Sequence, residues 1–236
     1  MQIANKMKIG IFQTGYLPKQ LAEKHGQFPQ MFEQLLQGHG FTFENYAVVD
    51  NQFPQSIHAC DGWLITGSAH ATYEAHEFIA PLEKFICDAY TNAVPVAGIC
   101  FGHQIMAQAL GGKVEKFSGG WAAGRVKYDV AGKTCKLVAM HQDQVVEKPD
   151  DADVIATSEF CVNAGFAYKG AAISFQPHPE FTTEFTSDLI AAKSGKGFSK
   201  EIANTALASL GAKDGSSEIA AQLAAFFNSA AKQTAA

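Results

Sequence analysis

The sequence predicts an α/β fold, with a mostly parallel central sheet flanked by helices. Three observations carry this reading. Short apolar runs alternate with helix-period segments from residue 8 to residue 110. The run at 94–99 (VPVAGI) has no polar alternation, as expected of a strand buried on both faces. Beyond residue 113 the texture changes to strand-like runs joined by short turns, which read as a smaller, more antiparallel patch.

The elements follow in order. Residues 8–12 (KIGIF) form a short apolar strand. Phe28, Met31, Phe32, Leu35 and Leu36 then fall on one helical face, and Gly38 and Gly40 stop that helix. Residues 41–49 return as a strand, and 62–66 (GWLIT) form the next. Residues 77–90 read as a helix, with Phe78, Leu82, Phe85 and Ile86 on one face; Pro81 requires its first turn to lie there. The strand at 94–99 follows. Strand–helix alternation of this kind implies right-handed crossovers and a sheet covered on both sides. In the second half, strands are expected at 125–130, 136–140, 153–156 and 171–175. From 181 onward the chain reads as helical. Ile219, Leu223, Phe226 and Phe227 give an amphipathic final helix, the Ala-rich tail is expected to fray, and 193–196 (KSGK) is the one linker-like break. We expect a single domain over 1–236, with a core at about 8–181 and a helical extension at about 182–236.

Composition narrows the function. With 47% apolar and 17% charged residues, the chain can bury a sizeable core. A net charge of −5 and the lack of any Lys/Arg-rich run argue against nucleic acid as a partner. No apolar stretch is long enough to span a bilayer, and the N-terminal MQIANKMKIGIF lacks the features of a signal peptide. The five cysteines stand at 60, 87, 100, 135 and 161, with no CxxC pair. That argues against a disulfide framework or zinc site, and makes a reducing cytoplasm the expected compartment.

One cysteine stands apart. In VAGICFGHQ (96–104) an apolar strand enters Cys100 and a helix-like run leaves it, with Gly98 and Gly102 two residues to either side. A strand that turns abruptly into a helix holds its corner residue out at the carboxyl edge of the sheet, where open α/β sheets bind ligands. The helix N-terminus behind it favours an anion, here a thiolate. The pattern is that of a nucleophile elbow carrying sulfur. An ordinary buried cysteine is the competing reading.

The partner residues decide between them. In ISFQPHPEF (173–181) His178 follows a strand, and Glu180 lies two residues on, on the same side of an extended segment stiffened by Pro177 and Pro179. The carboxylate can orient the imidazole while the imidazole takes the thiol proton. His103 is nearer in sequence, but its place on the helix turns it from the thiol. His70, His76 and His141 show no metal-ligand spacing and read as solvated loop histidines, so no metal and no cofactor is expected.

GICFGHQ together with PHPE resembles the class I glutamine amidotransferases, the triad glutaminases, from about residue 8 to about residue 181. The resemblance is greatest to GMP synthase-like stand-alone members and to the plant γ-glutamyl peptidases. It implies a flavodoxin-like fold and hydrolysis of a γ-glutamyl amide through a thioester, with Cys100, His178 and Glu180 as the triad. ITGSAHATY (65–73) is similar to the family's oxyanion loop, usually Ser-Gly-Gly-Pro, so Gly67, Ser68 and Phe101 are implied as the oxyanion site, with the amides of Ser68 and Phe101 as donors. Ser68-Ala69 departs from the usual Gly-Pro. One expectation is therefore a gated loop whose Ser68 amide rests turned from the thiol; the other is that Ser68 takes the active angles without strain. Gln104 matches the family glutamine that helps hold substrate. HQDQV (141–145) is similar to the family's Ser-His-Gly-Asp-x-Val stretch, with Gln142 in place of Gly; this implies His141, Gln142 and Asp143 as a substrate-binding stretch in which Asp143 or nearby backbone carbonyls meet the substrate's α-amino group.

The function expected is thus release of ammonia from glutamine, with a γ-glutamyl peptidase acting on glutathione-like or γ-glutamylated metabolites as the alternative. A non-catalytic binding module, and a redox or glyoxalase-type use of the elbow, are the rivals from other classes. The expected partner is a small-molecule substrate. If the ammonia feeds a synthesis, the acceptor site lies on a separate synthetase subunit.

Overall fold

The computed structural model describes residues 6–234, with side chains to residue 230. The chain runs β1 (Met7–Phe12), α1 (Lys19–His25), α2 (Phe28–Leu35), β2 (Phe41–Tyr46), β3 (Gly62–Ile65), α3 (Ile79–Thr91), β4 (Val96–Ile99) and α4 (Phe101–Ala109). It continues through β5 (Lys113–Lys116), β6 (Ala122–Val130), β7 (Lys133–His141), β8 (Asp143–Glu147), β9 (Ala152–Thr157), β10 (Gly165–Tyr168) and β11 (Ala172–Phe175). Three helices follow: α5 (Thr183–Lys193), α6 (Lys200–Ser209) and α7 (Ser216–Thr234).

One nine-stranded sheet, in the order β2-β1-β3-β4-β11-β10-β9-β6-β7, organises these elements. Strands β2, β1, β3, β4 and β11 run parallel, while β10, β9, β6 and β7 are antiparallel to their neighbours. The antiparallel strands therefore continue the main sheet, and only β5 and β8 pair separately. The run at 171–175, grouped by sequence with the antiparallel strands, lies beside β4 in the parallel part. Its neighbour in space is 76 residues away in sequence, a pairing that no local periodicity records.

Alternation along each strand sorts side chains to two cores. Ile9, Ile11, Leu64 and Ile99 meet Phe32 and Leu36 on one face, and Phe12, Trp63, Ile65 and Val96 meet Leu82, Ile86, Phe101 and Ile105 on the other. Pro81 does fall in the first turn of α3, where its missing N–H costs nothing. α2 ends before Gly38 and starts with a capping box between Gln27 and Gln30. The sequence reading missed α1, a seven-residue helix between Pro18 and Gly26, and the short strands β5, β8 and β10.

The C-terminal helices are part of the core. Ile219, Leu223 and Phe227 on α7 are fully buried against the face formed by Met7, Ile9 and Phe41. Buried Arg125 on β6 ties the others down, donating to the carbonyls of Leu210 and Ala212 at 2.6 Å and pairing with Asp214 at 3.0 Å. Fraying of the Ala-rich tail and the character of residues 1–5 fall outside what is described. No helix among the described residues is long and apolar enough to cross a membrane.

Candidate active site

The parallel strands β1, β3, β4 and β11 end on one edge of the sheet, where the segments after them line a cavity of about 590 Å³. Cys100, the residue after β4, is the cap residue of α4 and has φ 55° and ψ −103°. A non-glycine residue there carries strain of about 1–3 kcal/mol, so the surroundings must hold it in place. Its N–H donates to the Phe175 carbonyl at 2.8 Å, and Gly102 N–H donates to Thr66 O at 3.2 Å.

Close packing of α4 against β3 and β4 explains both flanking glycines. A Cβ on Gly98 would lie 2.5 Å from the Gly102 backbone, and one on Gly102 would lie 2.3 Å from Ile65 O. We therefore expect Gly102→Ala to displace α4, lowering stability by about 3 kcal/mol and lowering activity. Chemical denaturation, with activity measured below the transition, checks this.

His178 and Glu180 arrive from the end of β11. The His178 N–H donates to Val138 O at 2.8 Å, and the imidazole stacks on Phe181 with ring centroids 3.9 Å apart. Its Nδ1 lies 2.7 Å from Glu180 Oε1, which leaves Nε2 for the thiol. Both side chains are buried. Burial by itself lowers the His178 pKa, but the charges and hydrogen bonds of Cys100 and Glu180 outweigh it and raise the value to about 10. Glu180 Oε2 is buried without a hydrogen-bond partner.

The loop after β3 is held from beneath. Thr14 Oγ1 and Thr66 Oγ1 each lie 3.0 Å from the Gly67 carbonyl oxygen, and both can donate to it. Among the described residues every peptide bond is trans, so the Ser68 N–H, opposite the Gly67 carbonyl, points away from these buried threonines. Ser68 is not among the residues of positive φ, and its hydroxyl donates to Thr14 O at 2.8 Å. Serine therefore fits here without backbone strain. A Cβ on Gly67 would lie 2.8 Å from the His178 ring, so that position has to stay small. Thr14→Val should free part of the Gly67 carbonyl's hold and lower kcat about tenfold with KM nearly unchanged, because misaimed donors act only on the developing charge. Steady-state kinetics with one amide substrate would test it.

The remaining implied residues fall around the same cavity. Gln104 Nε2 donates to Asp143 O at 2.8 Å and Gln176 Oε1 at 3.0 Å, so only its carbonyl oxygen is left to offer a ligand. His141 is buried rather than solvated. Burial lowers its pKa to about 4, and its Nε2 has no partner. Burial raises the Asp143 carboxyl, and Tyr73 hydrogen-bonds to it. Gln142 donates to Phe117 O at 3.3 Å at the corner between β7 and β8. His103 lies elsewhere, buried between Ser174 and Asn163, with its pKa pushed down to about 3 by burial.

Tyr73, Trp121, Phe181 and Lys193 also line the cavity, and sequence reasoning assigned them no role. Only Phe181, directly after Glu180, carried a local signal. The structure also brings His70, Glu74 and His76 together, with one ligand atom from each inside 4.8 Å, so they could hold a metal ion despite the absence of a recognisable spacing. As they stand they staple the loop: Glu74 accepts from Ala71 N–H at 3.0 Å and lies 2.9 Å from His76 Nε2.

A cysteine on a strand–helix corner thus stands beside a His-Glu pair that lies just past the end of the neighbouring strand. Residues 25–194 match the family Glutamine amidotransferase class-I, and the chain belongs to that family. It is 28% identical over 182 residues to gamma-glutamyl peptidase 4 of Arabidopsis thaliana, covering 70% of this chain and 72% of that protein. It is 36% identical over 121 residues to the A subunit of the glutamine-hydrolyzing GMP synthase of Methanopyrus kandleri, covering 44% of this chain and 62% of that one. The crystal structure of a glutamine amidotransferase from Methylobacillus flagellatus superposes with a TM-score of 0.72 at 21% identity, over 95% of this chain and 93% of that one.

Proposed function

We propose that this chain hydrolyses γ-glutamyl amides through a thioester on Cys100. The observation that carries the reading is the placement of His178 between Cys100 and Glu180, with Nδ1 held at 2.7 Å by the carboxylate. His178 takes the thiol proton as Sγ bonds to the γ-carbonyl carbon. The amides of Ser68 and Phe101 meet the resulting oxyanion. The C–N bond then breaks as His178 gives its proton to the leaving amine. Water attacks the thioester, His178 takes its proton, and glutamate leaves as that proton returns to sulfur. No cofactor enters this sequence.

Glutamine is the smallest amide of this kind, and its leaving group is ammonia. If ammonia feeds a synthesis, a separate synthetase subunit is the partner, as the likeness to one subunit of a GMP synthase suggests. A γ-glutamyl peptide is the larger alternative, and the likeness to a γ-glutamyl peptidase points toward it. The hold on the Gly67 carbonyl supports an isolated chain that works without a partner to reshape the loop. Cysteines 60, 87, 100, 135 and 161 are all unpaired, which suits a reducing compartment such as the cytoplasm. Treating the protein with a γ-glutamyl electrophile and locating the adduct by mass spectrometry tests the reading. Labelling at Cys100 is expected; labelling only at the other four cysteines would refute it.

A further inference from the structure

The cavity in front of Cys100 has two unlike halves. Tyr73, Gln104 and Asp143 make one side polar, and that side suits the amino-acid head of a glutamyl group. Phe28, Met140 and Leu189 belong to one hydrophobic cluster, with Trp121 packed against it, and they make another side apolar. Ammonia, the leaving group of glutamine, has no use for an apolar wall of that size.

Two lysines line the cavity: Lys116, whose charge acts on Asp143 at the polar side, and Lys193 at the apolar side. Lys193, at the last turn of α5, places Nζ 5.2 Å from the centre of the Trp121 ring. Trp121 is itself braced edge-on by Phe198, with centroids 5.6 Å apart. Among the described residues Lys193 has no carboxylate partner, although six other lysines do. Burial lowers its pKa, and the charge of Cys100 acts on it in the opposite sense, so it lies within electrostatic reach of the nucleophile. A half-buried ammonium over an aromatic face, with no anion of its own, is a receptor for an anionic group brought by a ligand.

We propose that Trp121 and Lys193 form a leaving-group subsite, which takes an amine bearing an apolar side chain and a carboxylate. The preferred substrate is then a γ-glutamyl peptide with a free C-terminal carboxylate rather than glutamine. Lys193 pairs with that carboxylate, and Trp121 and its apolar neighbours cover the side chain. This inference rests on the γ-glutamyl hydrolase reading and narrows it to a substrate class. A purely structural Lys193, compensating the carboxyl-end dipole of α5, would not distinguish one ligand from another.

Binding separates the subsite from the chemistry. In the Cys100→Ala protein, calorimetry with γ-glutamyl-phenylalanine and with its C-terminal amide should show the free acid binding at least tenfold more tightly. Adding Lys193→Met, which keeps the aliphatic stem, should erase that preference, and Lys193→Arg should restore most of it. Equal affinity for acid and amide, no binding of either, or a preference that survives Lys193→Met would overturn the subsite. Cys100 labelling of the unaltered protein tests the chemistry separately. Acid-selective binding without any Cys100 adduct or turnover sinks the hydrolase reading and leaves the subsite. Turnover of acid and amide at equal kcat/KM does the reverse.

Discussion

Replacing Cys100 by alanine is expected to abolish hydrolysis while leaving the fold intact. Loss of the covalent nucleophile removes the thioester route altogether, so turnover should fall to background. The stability consequence is more discriminating. At φ 55° and ψ −103° alanine keeps the strain that cysteine carries. Glycine relieves it, at the cost of about 0.5–1 kcal/mol of extra chain entropy. Cys100→Gly should therefore be inactive yet at least as stable as Cys100→Ala. Thermal melts of both variants, with assays against a γ-glutamyl amide, check the two halves together. Residual turnover above about one per cent in either variant would move the chemistry to another group.

His178→Asn should cost roughly a thousandfold or more in kcat, because one imidazole serves as both base and acid. Glu180→Gln should cost less, roughly ten- to a hundredfold. A glutamine can still turn its oxygen to His178 Nδ1, but its NH2 group must then occupy the place of Oε2, which is buried without a partner. The pH profile gives a second readout. Glu180 helps to raise the His178 pKa, so removing its charge lets that value fall. The alkaline limb of kcat/KM, where the imidazolium needed by the leaving amine is lost, should then move to lower pH. An unshifted limb at full rate would reduce the triad to a dyad.

Legibility in the sequence followed the range of the interaction. The elbow could be read because strand, Gly-x-Cys-x-Gly and helix are consecutive, and the structure gives each glycine a reason in the approach of α4 to Ile65 and to its own strand. His-Pro-Glu could be read because an extended segment points i and i+2 to the same side; Glu180 Oε1 lies 2.7 Å from His178 Nδ1. The amphipathic stripes of α2, α3 and α7 announced buried faces. Short elements with few residues to set a period, such as α1 and β10, did not announce themselves. His141 read as solvated because a lone histidine in a polar stretch carries no mark of burial.

What the sequence by itself determined is the α/β class, the corner that carries Cys100 and the segment that carries its partners, since all three are matters of local spacing and periodicity. Only the tertiary structure decided how the site is furnished. The parallel pairing of β11 with β4 brings the segment of His178 to that of Cys100, far apart though they are in the chain. The ends of β1 and β3 bring two threonines under one carbonyl. The start of β6 and the end of α5 set Trp121 beside Lys193. Each of these joins residues distant in sequence, and such contacts follow from the order in which strands pair and helices dock, which no residue's near neighbours encode.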